Sequence, residues 1–237
     1  IPVFAAIAAF VTNRNYEAFR NDIAYMGQNV KIVGRNGGIT YSDLGPTHYS
    51  LEDYAIIRML PGVVVLSPQD PGEIREAAKA MIEHDGPVYM RIGGPSIPDL
   101  FPEAPFTIGE GRMIREGSSA TVVTTGSITP EVVVAVQRLA DDGIDVDLIG
   151  MPTVEPVDAA LIRASAHRTG RVITVEEHYT RGGLSAAVGE ALATSGIPVH
   201  AIGLPHEHIV TGTYPGLLAR YALDAAGLDE RIRLLVR

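Results

Sequence analysis

The chain of 237 residues contains no cysteine. Disulfides, thiolate nucleophiles and cysteine-ligated metals are therefore excluded. Positive charge is also scarce: 19 Lys and Arg stand against 28 Asp and Glu, a net charge of -9. A nucleic-acid surface needs clustered Lys and Arg, so that class is set aside. No apolar run approaches the roughly 20 residues of a membrane span. Residues 1–9 are apolar, but no basic segment precedes them and no cleavage site follows. They read as a buried strand and its exit, not as a signal peptide. The cytoplasm is the expected location. Several signatures are missing as well: a GxxxxGK[ST] loop, a GxGxxG turn after a strand, a GxSxG elbow and an HExxH helix.

What is present is an alternation of β-rich and helical segments, in a chain long enough for one large or two small domains. Strands are predicted at 1–6, 30–33, 62–66, 88–92, 119–125, 145–150, 171–174 and 199–202. Helices are predicted at 15–25, 71–84, 129–141, 157–169, 184–195 and 216–226. In 71–84 the residues Ile74, Ala77, Ala78, Met81 and Ile82 form one stripe, with Glu73 and Glu76 early. Short Val- and Ile-rich strands between helices indicate parallel sheets covered on both faces. Residues 94–105 carry four prolines in twelve positions, too many for a helix or a central strand. They read as a linker between two doubly wound α/β units, 1–105 and 106–237. The first opens directly in a strand and supplies few elements, as if part of it preceded Ile1.

One turn stands out. Gly45-Pro46-Thr47-His48 closes a glycine-rich loop that starts at Gly34, after a predicted strand. Pro46 fixes φ, Gly45 permits a sharp entry, and one imidazole is delivered on a rigid turn. Two other clusters carry titratable groups. His206-Glu207-His208 is either a weak metal pair or a solvated loop. Glu176-Glu177-His178 follows a strand, so it either faces a ligand or makes a polar exit at a domain or subunit interface.

An ordered set of motifs then resembles the transketolase family. Residues 10–20 (Phe-Val-Thr-Asn-Arg-Asn-Tyr-Glu-Ala-Phe-Arg), 30–34, 45–48 and Glu52-Asp53 look like its pyrimidine-binding domain. Residues 60–63, 67–70 and 85–89 continue that match in order. Arg115-Glu116-Gly117-Ser118, Thr125-Gly126-Ser127, residues 174–178 and Gly182-Gly183-Leu184 resemble its C-terminal domain. The resemblance implies an incomplete pyrimidine-binding domain at 1–105 and a mixed-sheet C-terminal domain at 106–237. It implies thiamine diphosphate as cofactor. The Gly-Asp-Gly motif that holds its diphosphate and Mg²⁺ in the family has no counterpart here, and neither does the cofactor-activating glutamate segment. No metal ligand is therefore expected in this chain. The chain looks like the second subunit of a split transketolase, completed by an N-terminal subunit in a heterotetramer.

Residue by residue, Phe10 matches the aromatic that stacks on the aminopyrimidine, and Ile7 stands where the family has a second ring. Asn13 belongs to the same cofactor-binding segment. His48 matches a histidine that reaches donor and acceptor hydroxyls, a task suited to a group titrating near neutrality. Three positions depart from the pattern. Arg35 or Asn36 replaces a frequent histidine, Leu44 replaces an aspartate that reads a substrate hydroxyl, and Gly94 replaces a phosphate-gripping arginine. Arg91 is nearby, but its place in a strand gives it another orientation. These departures imply an acceptor that is not a standard sugar phosphate, such as a less polar, larger or carrier-bound group. Two other classes share the layout: the β subunit of 2-oxo-acid dehydrogenases, whose histidine loop differs, and a non-catalytic assembly subunit. Deoxyxylulose-phosphate synthases are close in chemistry, with a loop that typically reads Gly-Gln-Thr-His.

Overall fold

The computed structural model describes residues 1–94, 96–101 and 105–237. The proline-rich connector expected at 94–105 therefore lies in part outside the described residues. The elements run β1 (Val3–Ile7), α1 (Ala8–Val11), α2 (Tyr16–Ala18), a π-helical stretch Phe19–Tyr25, β2 (Lys31–Arg35), α3 (Asp53–Ile57), β3 (Val64–Leu66), α4 (Pro71–Glu83) and β4 (Val88–Arg91). The second unit continues with β5 (Arg112–Arg115), β6 (Thr121–Thr124), α5 (Thr129–Asp141), β7 (Asp147–Gly150), β8 (Thr153–Glu155), α6 (Ala159–Thr169) and β9 (Val172–Tyr179). It ends with α7 (Leu184–Ala191), β10 (Val199–Leu204), α8 (Tyr214–Arg220) and α9 (Ala225–Val236).

Two five-stranded sheets result, ordered β1-β2-β4-β3-β8 and β10-β9-β6-β7-β5. Each has four parallel strands and one antiparallel edge, β8 in the first and β5 in the second. The α/β class is as expected, with sheets that are mixed. Neither short edge strand was expected, since three or four residues carry too little periodicity to signal a strand. β8 belongs to the second unit by sequence, yet it closes the first unit's sheet.

The apolar patterning explains most of the packing. Ile32, Tyr54, Ile57, Val63, Val65 and Tyr89 fill one face of the first sheet, and Leu66, Ala77, Met81, Val88 and Met90 fill the other. Helix α4 begins at Asp70, whose Oδ1 accepts the N–H of Glu73 at 2.6 Å, with Pro71 in the first turn. Asp70 Oδ2 also accepts the N–H groups of Leu100 and Phe101, tying the described connector to this helix. The buried stripe of α4 is narrower than its spacing predicts: Ala77 and Met81 are buried, while Ile82 is exposed. Lys31 is buried and donates to the carbonyls of His84 and Gly86, where a cation suits the end of α4.

Other expectations are corrected. β1 is an exposed edge and not a buried strand, with Phe4 58% exposed, because it pairs with β2 alone. The helix expected over 15–25 is a short α-turn that widens into a π-helical stretch. The strand expected to end at 174 continues to Tyr179, because Glu176 and Glu177 find buried partners. A further helix, Ala225–Val236, follows where one helix was expected to end at 226. Among the described residues no helix is long and apolar enough to cross a membrane.

Candidate functional site

Strands β1, β2 and β4 are parallel neighbours, so their carboxyl ends lie at one rim of the first sheet. Every candidate site residue of this unit leaves from that rim, the usual place for ligands in open α/β sheets. β1 ends at Ile7 and leads into α1 with Phe10. β2 ends at Arg35 and leads into the loop 36–51. β4 ends at Arg91, three residues before Gly94.

Two sets of residues come together there. In the first, the Phe10 and His48 rings lie 5.2 Å apart, tilted by 53°. Tyr41 meets His48 edge-on at 5.9 Å, and Arg14 lies over the Phe10 ring at 4.1 Å. His48 is half-buried; its Nδ1 is 3.0 Å from Thr47 Oγ1, and its N–H donates to Gly45 O at 2.9 Å. Asn13 is exposed and donates to Glu52 Oε2 at 3.0 Å. Ile7, half-buried, pairs in register with Arg35. In the second set, Asn36 adopts a left-handed backbone (φ 57°) and its amide lies against Gly94, where a Cβ would collide with it. Thr40 crowds the same spot. Leu44 is 48% exposed on the loop between the two sets. Tyr41 and Arg14 were not singled out from the sequence; both are long side chains whose reach from a turn has no local signature.

The geometry suits a flat heteroaromatic ligand on Phe10. Such a ring displaces the exposed Arg14, whose contact contributes about 0.5–1 kcal/mol at a surface. Aromatic stacking contributes a comparable ~0.5–1.5 kcal/mol beyond area burial. The chain offers less for a diphosphate and its metal. Among the described residues no group of three or more His, Asp or Glu is placed to hold a metal ion. His206 and His208 sit on an exposed loop, where His206 packs edge-on against Tyr179.

The cluster 176–178 lies at the interface between the two units and is fully buried. Glu176 accepts the N–H groups of Leu184 and Ser185 at 2.7 and 2.9 Å, closing the start of α7. Glu177 Oε1 accepts the N–H of Ile39 at 2.7 Å, and its Oε2 accepts from Tyr214 at 2.7 Å. Burial raises its carboxyl above the usual range, against the pull of Arg91. His178 stacks on Tyr54 at 5.1 Å and 15°. Arg91 is 4% exposed; it pairs with Asp53 at 3.0 Å and donates to Glu177 O at 2.6 Å. Tyr89 donates to the other Asp53 oxygen at 2.7 Å. Arg91 is thus turned inward, away from any phosphate at the rim.

Comparison with known proteins assigns both units. Residues 1–97 match the model of the transketolase pyrimidine-binding domain, and residues 109–228 match that of the transketolase C-terminal domain. A subunit of the apulose-4-phosphate transketolase of Phocaeicola vulgatus is 37% identical over 223 residues, covering 93% of this chain and 72% of that protein. A 6-deoxy-6-sulfo-D-fructose transketolase subunit of Clostridium sp. is 35% identical over 206 residues, covering 86% of this chain and 64% of that one. The 1-deoxy-D-xylulose-5-phosphate synthase of Syntrophotalea carbinolica is 37% identical over 239 residues, but the chain spans only 37% of its length. A solved structure described as a split gene transketolase, inactive beta4 tetramer, superposes with a TM-score of 0.89 at 34% identity. The match covers all of this chain and 76% of that one.

Proposed function

The chain belongs to the transketolase family, and from that membership we propose that it is one subunit of a split, thiamine-diphosphate-dependent transferase. It moves a two-carbon ketol unit from a ketose donor to an acceptor. The observation that carries this reading is the meeting of Phe10 and His48 at the carboxyl rim, delivered by adjacent strands.

When bound, thiamine diphosphate supplies the carbanion chemistry. The residues of this chain bind, orient and move protons around it. Phe10 and Ile7 give the aminopyrimidine a flat apolar wall, and Asn13 gives it a hydrogen-bonding edge. His48 hydrogen-bonds the donor and acceptor hydroxyls and carries the proton released when the donor's carbon–carbon bond breaks. Asn36, Leu44 and Gly94 face the substrate. An N-terminal subunit holds the diphosphate and Mg²⁺, and the active assembly is an α2β2 heterotetramer with two-fold symmetry. The naming of two relatives as subunits and the inactive beta4 state of a third support dependence on a partner.

The acceptor is not a standard sugar phosphate. Leu44 and Gly94 offer neither a carboxylate for a hydroxyl nor a bidentate cation for a phosphate. The relatives' names differ in the sugar they act on, one a 4-phosphate and one a 6-sulfo sugar, which supports a substrate that varies within split members.

The test is steady-state kinetics and calorimetric titration of the chain reconstituted with an N-terminal transketolase subunit. Thiamine diphosphate is expected to bind tightly only to the pair. His48→Ala is expected to keep cofactor binding and lose at least about 100-fold in kcat, the lower range for acid–base groups. Unchanged turnover in His48→Ala would remove the role given to this residue. Efficient turnover of xylulose 5-phosphate with ribose 5-phosphate would remove the one given to Leu44 and Gly94.

A further inference from the structure

The loop 36–51 carries His48 on its outer side, and the second unit grips its inner side at several points. Ile39 N–H donates to Glu177 Oε1 at 2.7 Å. Gly212 N–H donates to Ser42 O at 3.1 Å, and the Tyr49 hydroxyl bridges Ser42 O and Val210 O at 2.9 and 3.0 Å. Tyr179 N–H donates to Leu51 O at 3.2 Å. Ile39, Tyr49 and Leu51 are buried in the second unit's own core, beside Val122, Ile128 and Val175.

The two loop glycines fit this contact. Gly38 has φ +66°, and a Cβ there would collide with Glu177 Oε1; a Cβ at Gly37 would collide with Arg91 Nε. The backbone can close on these two residues only without side chains at both positions. Glu177 is itself fixed, with Oε2 accepting from Tyr214 and Ser127 and its backbone carbonyl accepting from Arg91. A carboxylate held this way sets the height of Ile39 above strand β9. The neck of the loop, closed by the reciprocal Gly38–Ser50 hydrogen bonds at 3.0 Å, follows it.

We infer that Glu177, in the C-terminal unit, is a positioning residue for the site: through Ile39 it fixes the loop that presents His48 to Phe10 and Tyr41. This rests on the function proposed above. It also gives the second unit a task in catalysis, although every candidate site residue named above belongs to the first. Glutamine keeps an oxygen for Ile39 and an amide for Tyr214, whereas alanine removes the tie.

The experiment uses the whole chain in two arms. In the first, histidine-labelled chain without partner is followed by NMR, with the His48 signal assigned by its loss in His48→Ala. The rings of Phe10 and Tyr41 displace that signal by their ring currents. Glu177→Ala is expected to move it toward the position of a solvated histidine, and Glu177→Gln to leave it in place. In the second arm, the reconstituted pair is expected to lose at least about tenfold in kcat with Glu177→Ala, and less than about threefold with Glu177→Gln. Gly38→Ala keeps both charges and pushes the loop away, so it reproduces the signal shift should Glu177→Ala not fold. A wild-type His48 signal in Gly38→Ala, or in folded Glu177→Ala, overturns the inference. An inactive wild-type pair would instead sink the proposed function, and the first arm would still decide the role of Glu177.

Discussion

The outer and inner faces of the loop 36–51 have opposite chemistry. The outer face is open: Leu44, Pro46 and Thr47 are exposed, and both hydrogen bonds of His48 are to its own turn. The inner face is closed: Ile39, Tyr49 and Leu51 are buried, and the loop packs on a buried polar seam in which Arg91, Asp53, Tyr89, Tyr54 and Glu177 are each 4% exposed or less. A buried charge is tolerated only when its partners satisfy it, so the seam is sensitive to every deletion. An exposed side chain has water as an alternative partner, so the outer face can change without unfolding the chain. Specificity can therefore vary along the outer face of the loop and not along the seam.

The largest effect is expected from Asp53→Ala, which cuts the seam at its centre. It leaves the Arg91 guanidinium buried without its carboxylate and the Tyr89 hydroxyl without an acceptor. Breaking one half of a buried pair costs about 3–5 kcal/mol. Urea unfolding of the isolated chain measures it. A loss under about 1 kcal/mol would mean that water replaces Asp53, and the contrast between the faces would collapse.

A second buried carboxylate sharpens the contrast through pH. Glu73 lies at the start of α4, accepts the N–H of Gln69 at 2.7 Å, and has a buried Oε1 without a partner among the described residues. Burial first, and then Asp70, push its carboxyl from 4.5 up to about 7. Below pH 4.5 the group is protonated in folded and unfolded chain alike and has no effect. Between 4.5 and about 7 the unfolded chain releases the proton first, so stability falls as pH rises. A rise from 4.5 to about 7 corresponds to about 3 kcal/mol. Glu73→Gln is therefore expected to match the wild type near pH 4 and to exceed its stability by about 3 kcal/mol at pH 8. Urea midpoints across that range decide it, and parallel pH curves would refute the burial.

Much of this was legible in the residues themselves. Valine-rich strands and helical spacing placed the parallel strands, and the Gly-Pro-Thr-His turn singled out the loop that meets Phe10. Antiparallel β5 and β8 were not legible, because a three- or four-residue edge draws its partner from distant sequence. The strand character of 176–178 was hidden for a related reason. Three polar residues in a row look like a strand's end until Arg91, Ile39 and Leu184 are known to satisfy the two glutamates, and Tyr54 to stack on His178. Another orientation for Arg91 was expected from its place in a strand, but its inward turn was not legible, because its partner Asp53 lies 38 residues away.

The smallest effect on stability, and the finest test of the contrast, comes from Leu44→Asp. Leu44 sits in a tight turn where its N–H donates to Tyr41 O, and its side chain is 48% exposed. Replacement there is expected to change unfolding free energy by less than about 0.5 kcal/mol, as is usual for surface positions. In the reconstituted pair the new carboxylate offers an acceptor to a substrate hydroxyl. A hydrogen bond to a charged group contributes about 1.5–3 kcal/mol, so kcat/KM for a polyhydroxylated sugar acceptor is expected to rise about tenfold or more. Unchanged preference with unchanged stability would move the specificity of this site away from the outer face, toward Asn36 and Gly94 or toward the partner subunit. A loss of stability like that of Asp53→Ala would show instead that the outer face is not an open surface.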